Sequence, residues 1–187
     1  MIKRPIILAS SSPRRQYLMK EAGFIFQVEK PDVDESFPDT MPVEGVARYL
    51  ALKKAEKFRL RIQQEIVVTA DTVVILENTI LNKPADRPEA ISMLERLSGK
   101  THRVITGVCI LSAEKEDPFD DMTEVTFKNL SRKEIEFYVD QYQPYDKAGA
   151  YGAQDFIGMI AIEKINGSYF NVMGLPIHKV YTQLINW

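Results

Sequence analysis

The amino-acid sequence predicts an α/β fold with a mixed, twisted sheet flanked by helices, arranged as two lobes around a cleft. Segments with the residue pattern of strands alternate with segments that have the pattern of helices, which is the order typical of α/β proteins. Residues 66–76, IVVTADTVVIL, are nearly all apolar or β-branched, as in a central strand buried on both faces. Hairpin signals such as Asn166-Gly167 add antiparallel pairs. The sheet is therefore expected to combine parallel and antiparallel strands.

The first elements are predicted from their boundary residues. A strand at Pro5–Ala9 precedes a helix at Pro13–Ala22, which Ser12 can cap. Pro13 fits the first helical position, because its missing N–H has no partner there, and Gly23 can take the left-handed conformation that closes a helix. The elements expected next are a strand at residues 24–28, an acidic loop at 30–41 and a long helix at 42–61.

The later elements are predicted from capping and turn signals. Asp86 with Glu89, and Ser131 with Glu134, have the spacing of a capping box, so a helix is expected to begin at each place. The first of these helices ends near Ser98-Gly99. The remaining elements are strands at residues 66–76, 102–112, 123–128 and 158–165, a polar turn at 115–120 and a last helix from Pro176.

The composition limits the classes of protein to consider. With 187 residues, of which 45% are apolar and 27% charged, the chain has the size and balance of one globular domain. A net charge of −2 gives no general attraction for nucleic acid or for a membrane surface. Ile6 to Ala9 is too short for a secretion signal, and no stretch approaches the roughly 18 apolar residues of a membrane span. We therefore expect one cytoplasmic domain, residues 1–187, that binds neither nucleic acid nor membrane.

The cysteine and the histidines are expected to have structural roles. Cys109 is the only cysteine, which excludes an internal disulfide, and its apolar neighbours indicate a buried side chain. His102 and His178 are far apart in sequence and do not form a metal-ligand pair. Both histidines are therefore interpreted as structural or surface residues.

The turn between the first strand and the first helix is a candidate phosphate site. The segment Ser10-Ser11-Ser12-Pro13-Arg14-Arg15 places serine hydroxyls beside the unpaired N–H groups of a helix start. Two arginines in the first turn oppose the helix dipole, so they cost stability unless a bound polyanion offsets them. The alternative is that Ser12 only caps the helix and the arginines form surface ion pairs. The spacings of a Walker A loop and of a dinucleotide-binding loop are absent.

Asp71 and Thr72 interrupt the apolar strand at residues 66–76. An ionised carboxylate is costly to bury among valines without a partner, so the strand is expected to open onto a polar cleft at this point. There the carboxylate could hold a divalent cation, orient a water molecule or accept its proton. The alternative is a structural aspartate that backbone N–H groups or a buried arginine satisfy.

Weaker signals come from scattered charged residues and from a glycine-containing segment. Lys54 and Lys83 each suit a solvated surface as well as a ligand contact. Glu35, in the acidic loop, could help hold a metal ion. Residues 145–154, YDKAGAYGAQ, permit close approach of a ligand to the backbone, and Gln154 offers a polar contact there. An ordinary glycine-containing connection explains this segment equally well.

Taken together, these segments resemble the Maf family of nucleotide pyrophosphatases. The segment Ala9-Ser10-Ser11-Ser12-Pro13-Arg14-Arg15 is similar to the family's N-terminal signature, except that many relatives have glycine in place of Ser11. The other matching segments follow in family order over essentially the whole chain: Ala70–Val74, Lys83-Pro84, Leu97–His102, Thr106–Val108, Asp146–Gln154, Ile165–Tyr169 and Gly174–Pro176.

The resemblance implies an inosine-triphosphatase-like fold, usually homodimeric, that hydrolyses nucleoside triphosphates between the α and β phosphates with Mg²⁺ or Mn²⁺. The family's catalytic base corresponds to Asp71, and the subgroup similar at residues 147–154 acts on dTTP and UTP. Positions associated with substrate choice correspond to Arg14, Thr72 and Gln154. Positions that contact phosphate or metal correspond to Ser10, Arg15, Lys54, Lys83 and Glu35, with Glu35 and Asp71 as the metal ligands.

The implied reaction leaves a nucleoside monophosphate and pyrophosphate. The cation and the basic groups would neutralise the triphosphate while Asp71 positions and deprotonates a water molecule. A nucleotide-binding regulator of cell division or septum formation, with little turnover, is the alternative. Such a protein would need a damaged acid or phosphate site, whereas Asp71, Arg14, Arg15 and Lys83 are all present. The enzyme is therefore the favoured prediction.

Overall fold

The computed structural model describes residues 4–187, so the first three residues of the predicted domain lie outside the described part of the chain. The strands are β1 (Ile6–Ala9), β2 (Gln27–Val28), β3 (Ile66–Leu76), β4 (Thr79–Leu81), β5 (Thr101–Leu111), β6 (Glu116–Phe127) and β7 (Ile162–Asn166). The α-helices are α1 (Pro13–Glu21), α2 (Val46–Glu56), α3 (Arg87–Leu97), α4 (Arg132–Tyr142), α5 (Phe156–Ala161), α6 (Tyr169–Met173) and α7 (Ile177–Ile185). None of the helices within residues 4–187 is long and apolar enough to cross a membrane.

The strands form one mixed sheet in the order β2-β1-β3-β5-β6-β7, with β4 paired to β3. Strand β1 runs parallel to both β2 and β3, and Leu8 lies opposite Val68. Strands β4 and β7 run antiparallel to β3 and β6. The predicted mixed sheet is therefore confirmed, although the Asn166-Gly167 turn leads from β7 toward helix α6 and not into another strand. Strand β1 ends at Ala9 opposite Thr69, partway along β3, next to the β1–α1 turn.

The chain divides into two compact units, each with its own buried residues. Unit 1 comprises the residues up to Thr72, together with residues 106–121 and 174–187, and unit 2 comprises residues 73–105 and 122–173. In unit 1, Ala51 and Ala55 of α2 belong to a buried cluster with Val67 of β3 and with Cys109. The prediction that Cys109 is buried is therefore confirmed. In unit 2, helices α3 and α4 contribute residues such as Leu94 and Tyr138 to a core that also includes Leu81 of β4 and Phe127 of β6.

The predicted boundaries are most accurate where a local signal sets them. Strand β3 has the predicted bounds, Ile66–Leu76. Asp86 accepts a hydrogen bond from the N–H of Glu89 at the start of α3, and Ser131 forms a complete capping box with Glu134 at the start of α4. Gly23 follows α1 with a φ of +82°, in the left-handed region. These signals act within a few residues, so the sequence alone is enough to identify them.

Two predicted elements near the N-terminus are too long. The strand expected at residues 24–28 is reduced to Gln27–Val28. The helix expected at residues 42–61 begins as a 3-10 turn at Val43–Gly45 and ends at Glu56. Beyond Glu56 the backbone N–H groups of residues 58, 59 and 61 bond to carbonyl oxygens three positions earlier. This tighter hydrogen-bonding pattern ends the α-helix early.

Two further predictions are wrong in the type of element. The polar turn expected at residues 115–120 is mostly strand, since β6 begins at Glu116. Pro118 occupies an exposed position of this strand. The strand expected at residues 158–165 is helix α5 followed by the shorter strand β7. Ile157, Gly158 and Ala161 are the buried residues of α5. This spacing suits one face of a helix, and an apolar run of this length does not by itself distinguish helix from strand.

Candidate active site

The buried carboxylate of Asp71 lies against the ammonium group of Lys54. Asp71 is in the middle of β3, Lys54 is in the last turn of α2, and both side chains are almost fully buried. The Nζ atom of Lys54 is 2.5 Å from Oδ1 of Asp71 and 2.8 Å from Oε1 of Glu35, which is half exposed. One cation therefore pairs with two carboxylates. This pairing offsets the cost of burying the charge of Asp71.

Arg15 connects the β1–α1 turn to strand β3. Its guanidinium donates from Nε to the carbonyl oxygen of Gly174 (2.8 Å), from Nη1 to Ser10 Oγ (3.2 Å) and to the carbonyl oxygen of Ala70 (2.9 Å), and from Nη2 to Thr72 Oγ1 (3.0 Å). Burial lowers the pKa of Arg15 below its ordinary value, and the nearby charge of Asp71 opposes that shift. The guanidinium is thus occupied by protein acceptors and orders the residues around it.

The start of α1 keeps the features of an anion site. Ser12 is the N-cap residue, but its side chain accepts no capping hydrogen bond, so the prediction that it caps the helix is wrong. The Oγ atom of buried Ser10 instead accepts a hydrogen bond from the N–H of Ser12, at 3.3 Å. Because Ser10 Oγ also accepts from Arg15, it is held beside the helix start. A helix start without a side-chain cap presents N–H groups to a bound anion.

Thr72 is held by groups to which sequence analysis assigned no role. Its Oγ1 atom is 2.9 Å from Oγ1 of Thr106 and 3.4 Å from the carbonyl oxygen of Gly174. Gly174 has a φ of +114°, a conformation that favours glycine. Both residues lie in segments that match the Maf family, and that match was the only signal for them in the sequence. The structure therefore brings together Ser10, Arg15, Glu35, Lys54, Asp71 and Thr72, all within unit 1; Arg14 lies half-buried in the first turn of α1.

Two of the residues predicted to contact substrate, Lys83 and Gln154, belong to unit 2. Lys83 is exposed and follows β4. The Nε2 atom of Gln154 donates to Oδ1 of Asp155 at 3.2 Å. Its Oε1 atom is buried, and no hydrogen-bond partner for it exists among residues 4–187. Asp155 and its hydrogen-bond partner Tyr138 have no role in the sequence prediction, because the two residues are 17 positions apart and only the fold brings their side chains together.

His102 is a buried structural residue of unit 2, in agreement with one of the two roles expected for it. Its Nε2 atom is 2.7 Å from the hydroxyl oxygen of Tyr151, and its ring packs edge-on against Phe127. Burial lowers the pKa of His102 to about 4. The imidazole is therefore neutral at pH 7 and supplies no positive charge for a phosphate group.

This low pKa predicts a pH-dependent stability. The unfolded chain binds a proton at His102 near pH 6.5, whereas the folded chain binds it only near pH 4. The contribution of His102 is therefore fully present above pH 6.5 and is lost as the pH falls toward 4. We expect the free energy of unfolding, measured by urea denaturation, to fall by about 2 kcal/mol more between pH 7 and 5 in the wild type than in His102→Gln. His178→Gln, at an exposed position of α7, is the control for replacing a histidine.

Comparison with known proteins identifies the relatives of this sequence. Proteins named dTTP/UTP pyrophosphatase are similar over nearly their whole length. The protein from Bacteroides fragilis is 50% identical over 96% of this chain and 94% of its own. The protein from Phocaeicola vulgatus is 46% identical over 97% and 95%, and that from Porphyromonas gingivalis is 47% identical over 97% and 94%.

Solved structures and a family model complete the comparison. The Staphylococcus aureus Ham1 protein superposes with a TM-score of 0.55 at 15% identity, over 98% of this chain and 99% of its own. A HAM1 protein from Coxiella burnetii gives a TM-score of 0.50 at 14% identity, over 98% and 100%. At such identities the likeness concerns the fold alone, and it confirms the predicted inosine-triphosphatase-like α/β fold. A family model described as Maf-like protein matches residues 5–187, and the chain therefore belongs to the Maf family.

Proposed function

We propose that this protein is a nucleoside triphosphate pyrophosphatase that hydrolyses dTTP and UTP to the monophosphate and pyrophosphate. The observation that carries the proposal is the buried Asp71–Lys54 pair beside the β1–α1 turn that Arg15 orders. The three relatives at 46 to 50% identity carry the name dTTP/UTP pyrophosphatase, which supports the same activity. Modified pyrimidine triphosphates are further candidate substrates.

Asp71 is the proposed general base. Its carboxylate accepts a proton from a water molecule whose oxygen attacks phosphorus, and the α–β anhydride bond breaks to release pyrophosphate. The ammonium group of Lys54, 2.5 Å from Oδ1, holds this carboxylate in one orientation. A group that is held in position before the reaction needs little reorganisation when the proton moves.

The phosphate groups bind at the start of α1 in this proposal. Ser10 and the N–H groups of the helix start supply hydrogen bonds, and Arg14 supplies positive charge for substrate selection. Arg15, predicted as a phosphate contact, is better suited to hold Ser10 and Thr72 in place, because its guanidinium already donates to four protein oxygens. In unit 2, Lys83 is the proposed phosphate contact and Gln154 the proposed base contact.

A divalent cation, Mg²⁺ or Mn²⁺, fits the oxygen donors beside Asp71. The carboxylates of Asp71 and Glu35 both approach the Nζ atom of Lys54, so two hard oxygen donors converge on one small region. Residues 4–187 contain no group of three or more His, Cys, Asp or Glu side chains that could hold a metal ion. Mg²⁺ commonly binds through one or two carboxylates plus substrate phosphates. When bound, the cation would neutralise phosphate charge.

The organisation of the protein in the cell is also a proposal. Residues 1–187 form one Maf-like domain, since the family model spans residues 5–187 and neither compact unit is continuous in sequence. The protein acts in the cytoplasm, as a homodimer, on a nucleotide and not on nucleic acid or at a membrane. The net charge of −2 supports the proposal that the protein does not act on nucleic acid.

A product assay tests the proposed activity. The protein is incubated with dTTP, UTP, CTP, GTP and 7-methylguanosine triphosphate, each with Mg²⁺ or Mn²⁺, and a parallel sample contains a chelator. We expect dTTP and UTP to give monophosphate and pyrophosphate in equal amounts, only in the presence of the metal. Release of orthophosphate would contradict cleavage between the α and β phosphates, and the lack of any product would favour a regulator that binds nucleotides.

A further inference from the structure

The side-chain amide of Gln154 has one fixed orientation in unit 2. Its Nε2 atom donates to Oδ1 of Asp155 at 3.2 Å, and a carboxylate oxygen can only accept such a bond. The carbonyl oxygen, Oε1, must therefore point away from Asp155. This oxygen is buried and has no hydrogen-bond partner within residues 4–187. A buried acceptor of this kind is costly unless a donor outside the chain satisfies it.

Asp155 is placed where an aspartate would normally cap a helix. It is the N-cap residue of α5, yet its side chain accepts no capping hydrogen bond. Asp86, the N-cap residue of α3, accepts such a bond from the N–H of Glu89. The carboxylate of Asp155 is instead turned toward the amide of Gln154 and the hydroxyl of Tyr138. The carboxylate of Asp155 therefore forms these two side-chain contacts in place of the hydrogen bond that would stabilise the start of α5.

Tyr138 completes the arrangement from helix α4. Its hydroxyl accepts a hydrogen bond from the N–H of Gly152 (3.3 Å) and donates to Oδ2 of Asp155 (3.1 Å). Burial, followed by the nearby charge of Asp155, raises the pKa of Tyr138 above its ordinary value. The hydroxyl therefore stays protonated and remains a donor. Since it occupies one carboxylate oxygen of Asp155, the other oxygen is left for the amide of Gln154.

The backbone of Gly152 packs closely against this cluster. A Cβ atom added to Gly152 would lie 2.5 Å from Oδ2 of Asp155 and 2.8 Å from Nε2 of Gln154. The ammonium group of Lys147 is 3.8 Å from the same carboxylate oxygen of Asp155. Tyr138 and Gln154 thus both donate to Asp155, one to each oxygen of its carboxylate.

We infer that Asp155 and Tyr138 are positioning residues that orient Gln154 so that its Oε1 accepts a hydrogen bond from the imide N–H of a uracil or thymine base. This inference rests on the proposed function. Uracil and thymine carry a donor N–H between two carbonyl groups, whereas cytosine has an acceptor nitrogen at that position. An amide that offers its carbonyl oxygen to the base therefore favours uracil and thymine over cytosine. If the amide could turn, its Nε2 would instead suit the cytosine nitrogen.

The test compares base selectivity, which a general loss of structure would not change. The ratio of kcat/KM for UTP to that for CTP is measured for the wild type, Asp155→Asn, Tyr138→Phe and Tyr142→Phe. Asparagine offers a donor as well as an acceptor, so it allows both orientations of Gln154. Phenylalanine at position 138 removes only the hydroxyl. Tyr142 lies on the same helix, stacks on the ring of Tyr138 and is partly exposed, so it is the matched control.

We expect the ratio to fall about tenfold in Asp155→Asn, less in Tyr138→Phe and not at all in Tyr142→Phe. Equal losses for both nucleotides in Asp155→Asn, with an unchanged ratio, would overturn the inference, as would a wild type that hydrolyses CTP as efficiently as UTP. A wild type that releases pyrophosphate from neither nucleotide would instead contradict the proposed function. Circular dichroism of each variant confirms that the comparison is made between folded proteins.

Discussion

Replacing Asp71 with asparagine is expected to lower kcat for pyrophosphate release by about a thousandfold. The change keeps the size of the side chain and removes the group that accepts a proton from water. Lys54 retains Glu35 as a partner, at 2.8 Å, so the variant does not leave a buried ammonium group without a carboxylate. Nucleotide binding, measured by isothermal titration calorimetry, should remain within about threefold of the wild type, because the start of α1 is unchanged.

The same variant separates the two roles that Asp71 could have. If the carboxylate mainly holds a metal ion, a higher concentration of Mn²⁺ should restore much of the lost turnover in Asp71→Asn. If the carboxylate is the general base, a saturating concentration of Mn²⁺ should restore little of the lost turnover. Asp140→Asn is the control, since Asp140 lies in an exposed ion pair with Arg87 and should keep wild-type kinetics. Near-normal turnover in Asp71→Asn at low metal concentration would show that Asp71 is neither base nor ligand.

The sequence predicts individual site residues more reliably than their contacts. A carboxylate in a strand rich in valine is unusual, which identifies Asp71, and the position of the serines and arginines at a predicted helix start identifies the phosphate site. The contact between Lys54 and Asp71 depends on how α2 packs on β3, which no local pattern describes. The bond from Arg15 to Gly174 joins residues 159 positions apart. Long-range packing therefore decides whether Arg15 serves as a ligand contact or as a structural support.

The errors in the fold have a related physical origin. The capping boxes of α3 and α4 involve residues close in sequence, and both were predicted. Helix α5 was missed because its sequence, FIGMIA, is apolar and short. Gly158 packs against the turn that precedes the helix, since a Cβ atom there would lie 2.1 Å from the carbonyl oxygen of Ala153. The same glycine, judged from sequence alone, equally suits the start of a strand.

Replacing Gly107 with alanine is expected to destabilise the protein by about 4 kcal/mol. Gly107 lies in β5, and a Cβ atom there would be 2.3 Å from the carbonyl carbon of Ala47 and 2.3 Å from the backbone nitrogen of Arg48. Both atoms belong to the backbone of α2, so a rotation of a side chain cannot relieve the overlap. Either α2 or β5 must move. Urea denaturation followed by circular dichroism measures the loss.

The same substitution is expected to reduce activity in the molecules that still fold. Helix α2 carries Lys54, whose ammonium group is 2.5 Å from Asp71, so a shift of the helix away from β5 weakens the pair on which the proposed chemistry depends. Gly45→Ala is the matched control, because the nearest atom to its added Cβ is Met41 Cγ at 3.9 Å. It should change stability by about 0.5 kcal/mol or less. Equal stability of Gly107→Ala and Gly45→Ala would mean that α2 does not pack closely on β5, and the position of Lys54 would then need another cause.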